Sequence, residues 1–217
     1  MLLLTGGASP AFNRLVATGH RVDLDEIDRL ATVADDEGAP WSLWLRDEPE
    51  ADVLKIAGDH GHTERGVEPL MAVTRADARI RGPRPGGPNV RRITSGERQL
   101  HLDLIATAFG IPAELFGQFL AAPLMDAPWA STYVAELDGV TVATAYAVRH
   151  GDFVGVYTVS VPPQFRGRGY GRLVTETVMT DAFAAGATAA FLQSSEMGLP
   201  LYESIGFQTV ETWTYLT

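Results

Sequence analysis

Apolar and polar positions recur along this chain with two periods. Between 23 and 36, Leu24, Ile27, Leu30, Ala31 and Ala34 fall at helical spacing, and Gly38 stands where that helix would stop. Trp41-Ser42-Leu43-Trp44-Leu45 and Leu70-Met71-Ala72-Val73 read as strands, with a helix over 49–57 whose opening acids suit its N-terminal dipole. Short strands are predicted at 2–4 and 14–17. Further on, a strand at 90–93 precedes a helix capped near Ser95 and Arg98 and running through Phe109. A second helix covers 112–120. Three strands come next, at 133–137, 140–148 and 153–161. Asp138-Gly139 predicts a two-residue turn between the first two, because both positions accept φ > 0, and His150-Gly151-Asp152 turns into the third. The helix predicted over 170–185 places Tyr170, Leu173, Val174, Thr177 and Val178 on one face and stops at Gly186. A strand at 190–194, a short helix at 200–205 between Pro200 and Gly206, and a strand at 208–216 complete the pattern.

One stretch interrupts it. Arg81-Gly82-Pro83-Arg84-Pro85-Gly86-Gly87-Pro88-Asn89 continues neither a helix nor a central strand. It predicts a lobe at 1–82, a linker at 83–89 and a domain at 90–217, and it also fits one long surface loop within a single domain. A length of 217 residues allows either arrangement, and a 46% hydrophobic content supports a globular core. The net charge of −10 argues against a general nucleic-acid binder and against an anionic membrane surface. With no cysteine there is no disulfide, thiolate–zinc site or thiol nucleophile. No apolar run approaches the roughly 18–20 residues of a membrane span. The opening Met1-Leu2-Leu3-Leu4-Thr5-Gly6-Gly7 lacks a basic leader, so a cytoplasmic location is expected. The charge is also uneven. Residues 100–217 hold 11 acids but only Arg149, Arg166, Arg168 and Arg172, and three of these four bases are close neighbours.

Those three arginines mark the chemistry. In Val159-Ser160-Val161-Pro162-Pro163-Gln164-Phe165-Arg166-Gly167-Arg168-Gly169-Tyr170-Gly171-Arg172-Leu173 a strand enters a Gly-rich loop that opens a helix. The first N–H groups of a helix lack internal partners and its dipole is positive there, so such a loop makes an anion cradle of main-chain donors. It is not a P-loop, having no Gly-Lys-Ser/Thr, nor a Rossmann loop, whose glycine spacing differs. Asp59-His60-Gly61-His62 has a metal-ligand look, but with no further ligands in view it reads as a solvated turn.

Arg166-Gly167-Arg168-Gly169-Tyr170-Gly171 fits the [QR]-x-x-G-x-[GA] signature of the GCN5-related N-acetyltransferases, and Leu201-Tyr202-Glu203-Ser204-Ile205-Gly206-Phe207 resembles that family's L-Y-x-x-x-G-F segment. Order, spacing and the preceding three-strand meander agree over about 90–217. The resemblance implies an α/β (α+β) fold with a mixed, mostly antiparallel central sheet flanked by helices. It implies acetyl-CoA as cosubstrate, held by main-chain groups of Val159, Ser160 and Val161 along the pantetheine arm and by Arg166, Gly167, Arg168, Gly169, Tyr170, Gly171 and Arg172 at the pyrophosphate. An amine attacks the thioester directly, with no metal and no enzyme nucleophile. Tyr202 matches the tyrosine that protonates the leaving thiolate, and it also fits simple aromatic packing on the sheet. The base is open: Glu196 by position, with Asp126 and Glu136 as alternatives. Many relatives carry Asn where Ser195 stands, and Ser195 fits either a helix cap or a cofactor contact.

The segment before residue 80 echoes the end of the chain. Glu37-Gly38, a strand at 41–45, a helix at 49–57, Gly61 and a strand at 70–74 parallel Ala185-Gly186, the strand at 190–194, the helix at 200–205, Gly206 and the strand at 208–216. This suggests an N-terminal half-fold without its own cradle, since Ala17-Thr18-Gly19-His20-Arg21 has no alternating glycines; generic α/β alternation gives similar echoes. The leading function is transfer of an acetyl group to a primary amine. A non-catalytic acyl-CoA sensor and a protein-interaction module are the alternatives, and a homodimer is compatible with all three. The acidic surroundings of the cradle favour a cationic small-molecule acceptor. Phe116, Phe119, Met125, Trp129 and Tyr133 read either as its pocket or as core.

Overall fold

The computed structural model describes residues 1–117 and 120–217. The chain divides into two compact units, Met1–Leu70 with Thr209–Thr217, and Met71–Gln208. Unit boundaries therefore fall inside strands, and the Pro/Gly-rich stretch lies within the second unit.

In the first unit, β1 (Leu2–Leu3) pairs antiparallel with β2 (Arg14–Ala17), and β2 pairs parallel with β3 (Ser42–Arg46) across α1 (Leu24–Asp36). The last strand of the chain, β10 (Gln208–Leu216), runs antiparallel beside β3. α2 (Ala51–Asp59) leads into β4 (Arg65–Thr74), which is longer than its apolar run predicts. Ile27, Ala31 and Ala34 of α1 and Val53 and Ala57 of α2 bury against Leu15, Leu43, Leu45 and Leu216. Asp59-His60-Gly61-His62 is not a solvated turn. His60 reaches Asp35 at 2.6 Å and Asp28 at 3.1 Å and so ties the end of α2 to α1.

The second unit has the strand order β4, β9 (Ala189–Gln193), β8 (Phe153–Ser160), β7 (Val140–His150), β6 (Ala130–Leu137), β5 (Asn89–Ile93). β5 through β8 form an antiparallel meander, and β8 pairs parallel with β9. The sheet is thus mixed and mostly antiparallel, as expected. Asp138 and Gly139 turn with φ of +49° and +77°, the left-handed pair that the dipeptide predicts. α3 (Arg98–Phe109) comes after a single 3₁₀ turn, Ser95–Glu97. Ser95 does not cap it by accepting a helix amide; its own N–H and hydroxyl donate to Asp126. The helix predicted over 112–120 is observed as α4 (Ala113–Phe116), with Gln118 and Phe119 outside the described residues, and α5 (Ala122–Met125) comes next.

α6 (Tyr170–Ala184) links β8 to β9, and α7 (Leu199–Ile205) succeeds β9. Of the expected face of α6, Val174 and Val178 are buried, together with Met179, Ala182 and Phe183, while Tyr170, Leu173 and Thr177 are only partly buried. The buried stripe packs on Val154, Val156, Ala190 and Leu192, and each buried Val, Leu or Phe contributes about 1.5–3 kcal/mol. The same helix buries Glu176, whose carboxylate accepts the N–H groups of Arg81 and Gly82 and one N–H of Arg172. That bond set ties the start of the Pro/Gly-rich stretch to the helix.

Candidate active site

Two local irregularities open a cleft within the second unit. The pairing of β7 with β8 places Thr144 opposite Ser160 and Tyr146 opposite Tyr157, so β8 carries one extra residue, a β-bulge. Thr158 sits in it at φ +46°, a strained value for a β-branched residue. Just before the bulge β8 leaves β9: their ladder ends at Gly155 and Phe191. The resulting gap is a cleft of about 740 Å³, lined among others by Val159, Ser160, Val161, Gly169, Gly171 and Tyr202.

The loop after β8 forms one wall. Gly167 and Gly169 have φ of +74° and +85°, a conformation that side-chain-bearing residues rarely hold. Gly169 caps α6 with no side-chain hydrogen bond, and no acid occupies the first turn. The first bond of the helix runs from Leu173 N–H to Gly169 O, and the amides of Gly169, Tyr170, Gly171 and Arg172 have no acceptor among the described residues. This N-terminus is open to an anion.

The arginines behave differently from the expected cluster of free charges. Arg166 donates to Val161 O at 3.1 Å and Ala108 O at 2.8 Å, pinning the loop to β8 and to the end of α3. Arg172 turns away to Glu176 at 2.5 Å and Ser204 at 2.7 Å, so its charge is neutralised by a buried carboxylate. Arg168 donates to Gln164 O at 3.2 Å, lies over the Phe165 ring and remains exposed. Long side chains seek the nearest acceptor, which a sequence motif does not display.

Tyr202, on α7, forms the opposite wall. It is 8% exposed, its ring packs edge-on to Phe207 at 5.8 Å, and its hydroxyl has no partner among the described residues. Burial pushes its pKa up to about 12. A Cβ at Gly198 would lie 2.9 Å from the Tyr202 ring, so glycine is needed there to seat it. Gly206 ends α7 at φ +109°, and a Cβ on it would meet Asp77 O at 2.6 Å. The spacing of the Tyr-to-Gly-Phe segment thus has a steric cause. Ser195 lines the cleft, and its hydroxyl accepts Gly198 N–H at 3.3 Å, the local turn role.

Glu196 lines the cleft and is exposed. Both alternatives to it have structural work. Hydrogen bonds from the Ser95 hydroxyl and N–H hold the pKa of Asp126 down. A two-pronged bond from Arg91 does the same for Glu136. Of the aromatic stretch, Phe116, Met125 and Tyr133 are buried, Trp129 is exposed, and none of these lines the cleft. Phe109, not predicted, does. The sequence reading also missed His101, fully buried beneath the bulge. Its signal was a lone histidine among the apolar residues of α3.

A gap in the sheet, an open helix N-terminus and Tyr202, whose hydroxyl is unpaired among the described residues, thus line one cleft. Residues 128–209 match the family model described as an acetyltransferase (GNAT) domain. The matched segment carries most of the cleft and, but for its last residue, lies in the second unit. A GCN5-related N-acetyltransferase from Kribbella flavida is similar at 25% identity and a TM-score of 0.70, over 94% of this chain and 80% of that one. One from Sphaerobacter thermophilus, 16% identical with a TM-score of 0.68, covers 94% and 72%. A conserved protein of unknown function from Staphylococcus epidermidis, 13% identical with a TM-score of 0.73, covers 96% and 85%. These last two share the fold. No curated protein sequence matches the chain. No helix among the described residues is long and apolar enough to cross a membrane.

Proposed function

We propose that the protein transfers the acetyl group of acetyl-CoA to a primary amine by direct attack. One juxtaposition carries this reading: the residues at the start of α6, with their unpaired amides, and Tyr202, with a hydroxyl unpaired among the described residues, line the same cleft. The amides of the 166–172 loop would hold the pyrophosphate, with Arg166, which lines the cleft where Arg168 does not, adding charge. The pantetheine arm would run along Val159, Ser160 and Val161, where β9 no longer pairs. The amine nitrogen bonds to the acetyl carbon, the C–S bond breaks, and the thiolate takes the Tyr202 proton. Burial favours that role, because it keeps the phenol protonated over the working pH range. The proton lost by the amine passes to Glu196 or to water. Catalysis then rests on holding two reactants together with oriented donors.

The acceptor is a cationic small molecule in this reading, supported by the excess of acids over bases in 100–217. The first unit is read as a half-fold lacking a cradle. Its β2–α1–β3 crossover, with parallel strands, has the same order as β8–α6–β9.

The test is to incubate the protein with acetyl-CoA and a panel of amines and monitor free thiol. Release with polyamine-, aminoglycoside- or lysine-like acceptors, weakening as salt rises, is the expected result. Equal use of acidic amines overturns the cationic acceptor. Tight CoA binding without thiol release from any amine makes the protein a sensor, and no thermal shift with CoA makes it an interaction module.

A further inference from the structure

The histidine beneath the β8 bulge takes no part in the transfer chemistry above. His101 Nδ1 lies 2.6 Å from Thr144 Oγ1, and that hydroxyl donates to Tyr133 O at 2.7 Å. A hydroxyl has one proton. Having given it to the carbonyl, Thr144 must accept from Nδ1, so the ring is the Nδ1–H tautomer and Nε2 carries a bare lone pair. That lone pair faces Thr158 Oγ1 at 3.4 Å. Thr158 is the strained residue of the bulge, and its carbonyl accepts the Ser160 hydroxyl at 3.0 Å. The bulge is thus gripped from both sides, by Ser160 on its backbone and by His101 on its side chain.

We propose that His101 is a positioning residue: by accepting the Thr158 hydroxyl it holds the β8 bulge in its left-handed conformation and so sets the gap between β8 and β9 that receives the acyl-CoA arm. The part concerning acyl-CoA rests on the acetyltransferase reading of the cleft. Left to itself, a threonine returns to the β region, and the extra residue is absorbed by a shift of Val159, Ser160 and Val161, which line the cleft. Burial holds the His101 pKa near 4, so Nε2 remains an acceptor at neutral pH.

The test compares His101→Phe, His101→Gln, Thr158→Gly and the double variant His101→Phe/Thr158→Gly in the full chain. Two quantities are read: hydrogen exchange of amides 157–161 in the free protein, and the KM and kcat for acetyl-CoA. His101→Phe keeps a ring but no acceptor. It should speed exchange at the bulge and raise KM roughly five- to tenfold with kcat little changed, the size of one strained backbone residue. His101→Gln retains an acceptor and should preserve both values. Thr158→Gly in the His101→Phe background should restore both, because glycine holds that φ without strain. A histidine that serves only packing would lower thermal stability in His101→Phe without a KM change and without rescue by glycine, and that result overturns the proposal. Unchanged exchange in a folded His101→Phe does the same. If the wild type binds no acetyl-CoA, the acyl-CoA part falls with the reading of the cleft, while the exchange measurement still decides the tether.

Discussion

Two parallel crossovers among the described residues start their helices in opposite ways. α1 begins at Asp23, whose side chain accepts Glu26 N–H, and Asp25 and Glu26 fill its first turn. Its positive end is satisfied by the chain's own acids. α6 begins at Gly169, with no side-chain cap and no acid nearby, and leaves its amides open. The same β–α–β frame therefore closes an anion site in one unit and offers one in the other. A repeated frame supplies the strand and helix geometry; the loop between them decides whether a ligand can use it.

The largest expected effect comes from making α6 resemble α1. Gly169→Asp adds a side chain at φ +85° and a negative charge at the open amides. Acetyl-CoA affinity by calorimetry should fall about a thousandfold, combining left-handed strain with loss of the anion site. Unchanged affinity would mean that the cradle is not at this helix.

His101 and His60, one in each unit, should respond oppositely to pH. His101 has its pKa depressed to about 4 by burial, so the stability it contributes is present above the unfolded value of 6.5 and is lost as pH falls toward 4. The loss is on the order of 3 kcal/mol, and His101→Phe should flatten it in denaturant titrations at pH 7 and pH 4. For His60, burial opposes the charged form, but its hydrogen bonds to the Asp35 and Asp28 carboxylates outweigh this and raise its pKa. Its contribution is complete below 6.5 and is lost as pH rises through the raised value. His60→Gln should remove that alkaline loss; a wild type that gains stability over the same rise would contradict the ion-pair clamp.

Tyr202→Phe tests the far wall of the cleft. It should lower kcat about a hundredfold while acetyl-CoA binding persists, the difference between losing a proton donor and losing the cradle. A kcat within a factor of about two of wild type would leave the aromatic packing role alone.

The smallest effect is expected at α1. Asp23→Ala should cost about 1 kcal/mol of stability through the lost cap. It should leave acetyl-CoA affinity unchanged, because α1 is the helix whose anion position is already filled. A change in affinity would join the two helix starts functionally and break the comparison.

Local chemistry made much of this fold legible. The apolar period of 24–36, the Asp138-Gly139 turn and the glycines of the 167–171 loop each act within a few residues, and each is observed in its expected form. The long-range partners were not legible. Asp126 reads along the chain as a free acid, and only in space does it accept from Ser95. Arg172 counted as a free cradle charge until Glu176 was found buried beside it. His101 shows along the chain only as a lone histidine among the apolar residues of α3. It gained a role only because α3 crosses under a strand whose bulge no periodicity announces.

By itself the sequence determined the elements, the positive-φ loop and the order of its two motifs, since those arise from backbone preferences and spacing. Only the tertiary structure decided which strands are neighbours, placing β10 beside β3 and β4 beside β9. It also decided which charges are free and which are paired. Those outcomes depend on burial and on the nearest acceptor in space, and neither quantity is written in the spacing of residues along a chain.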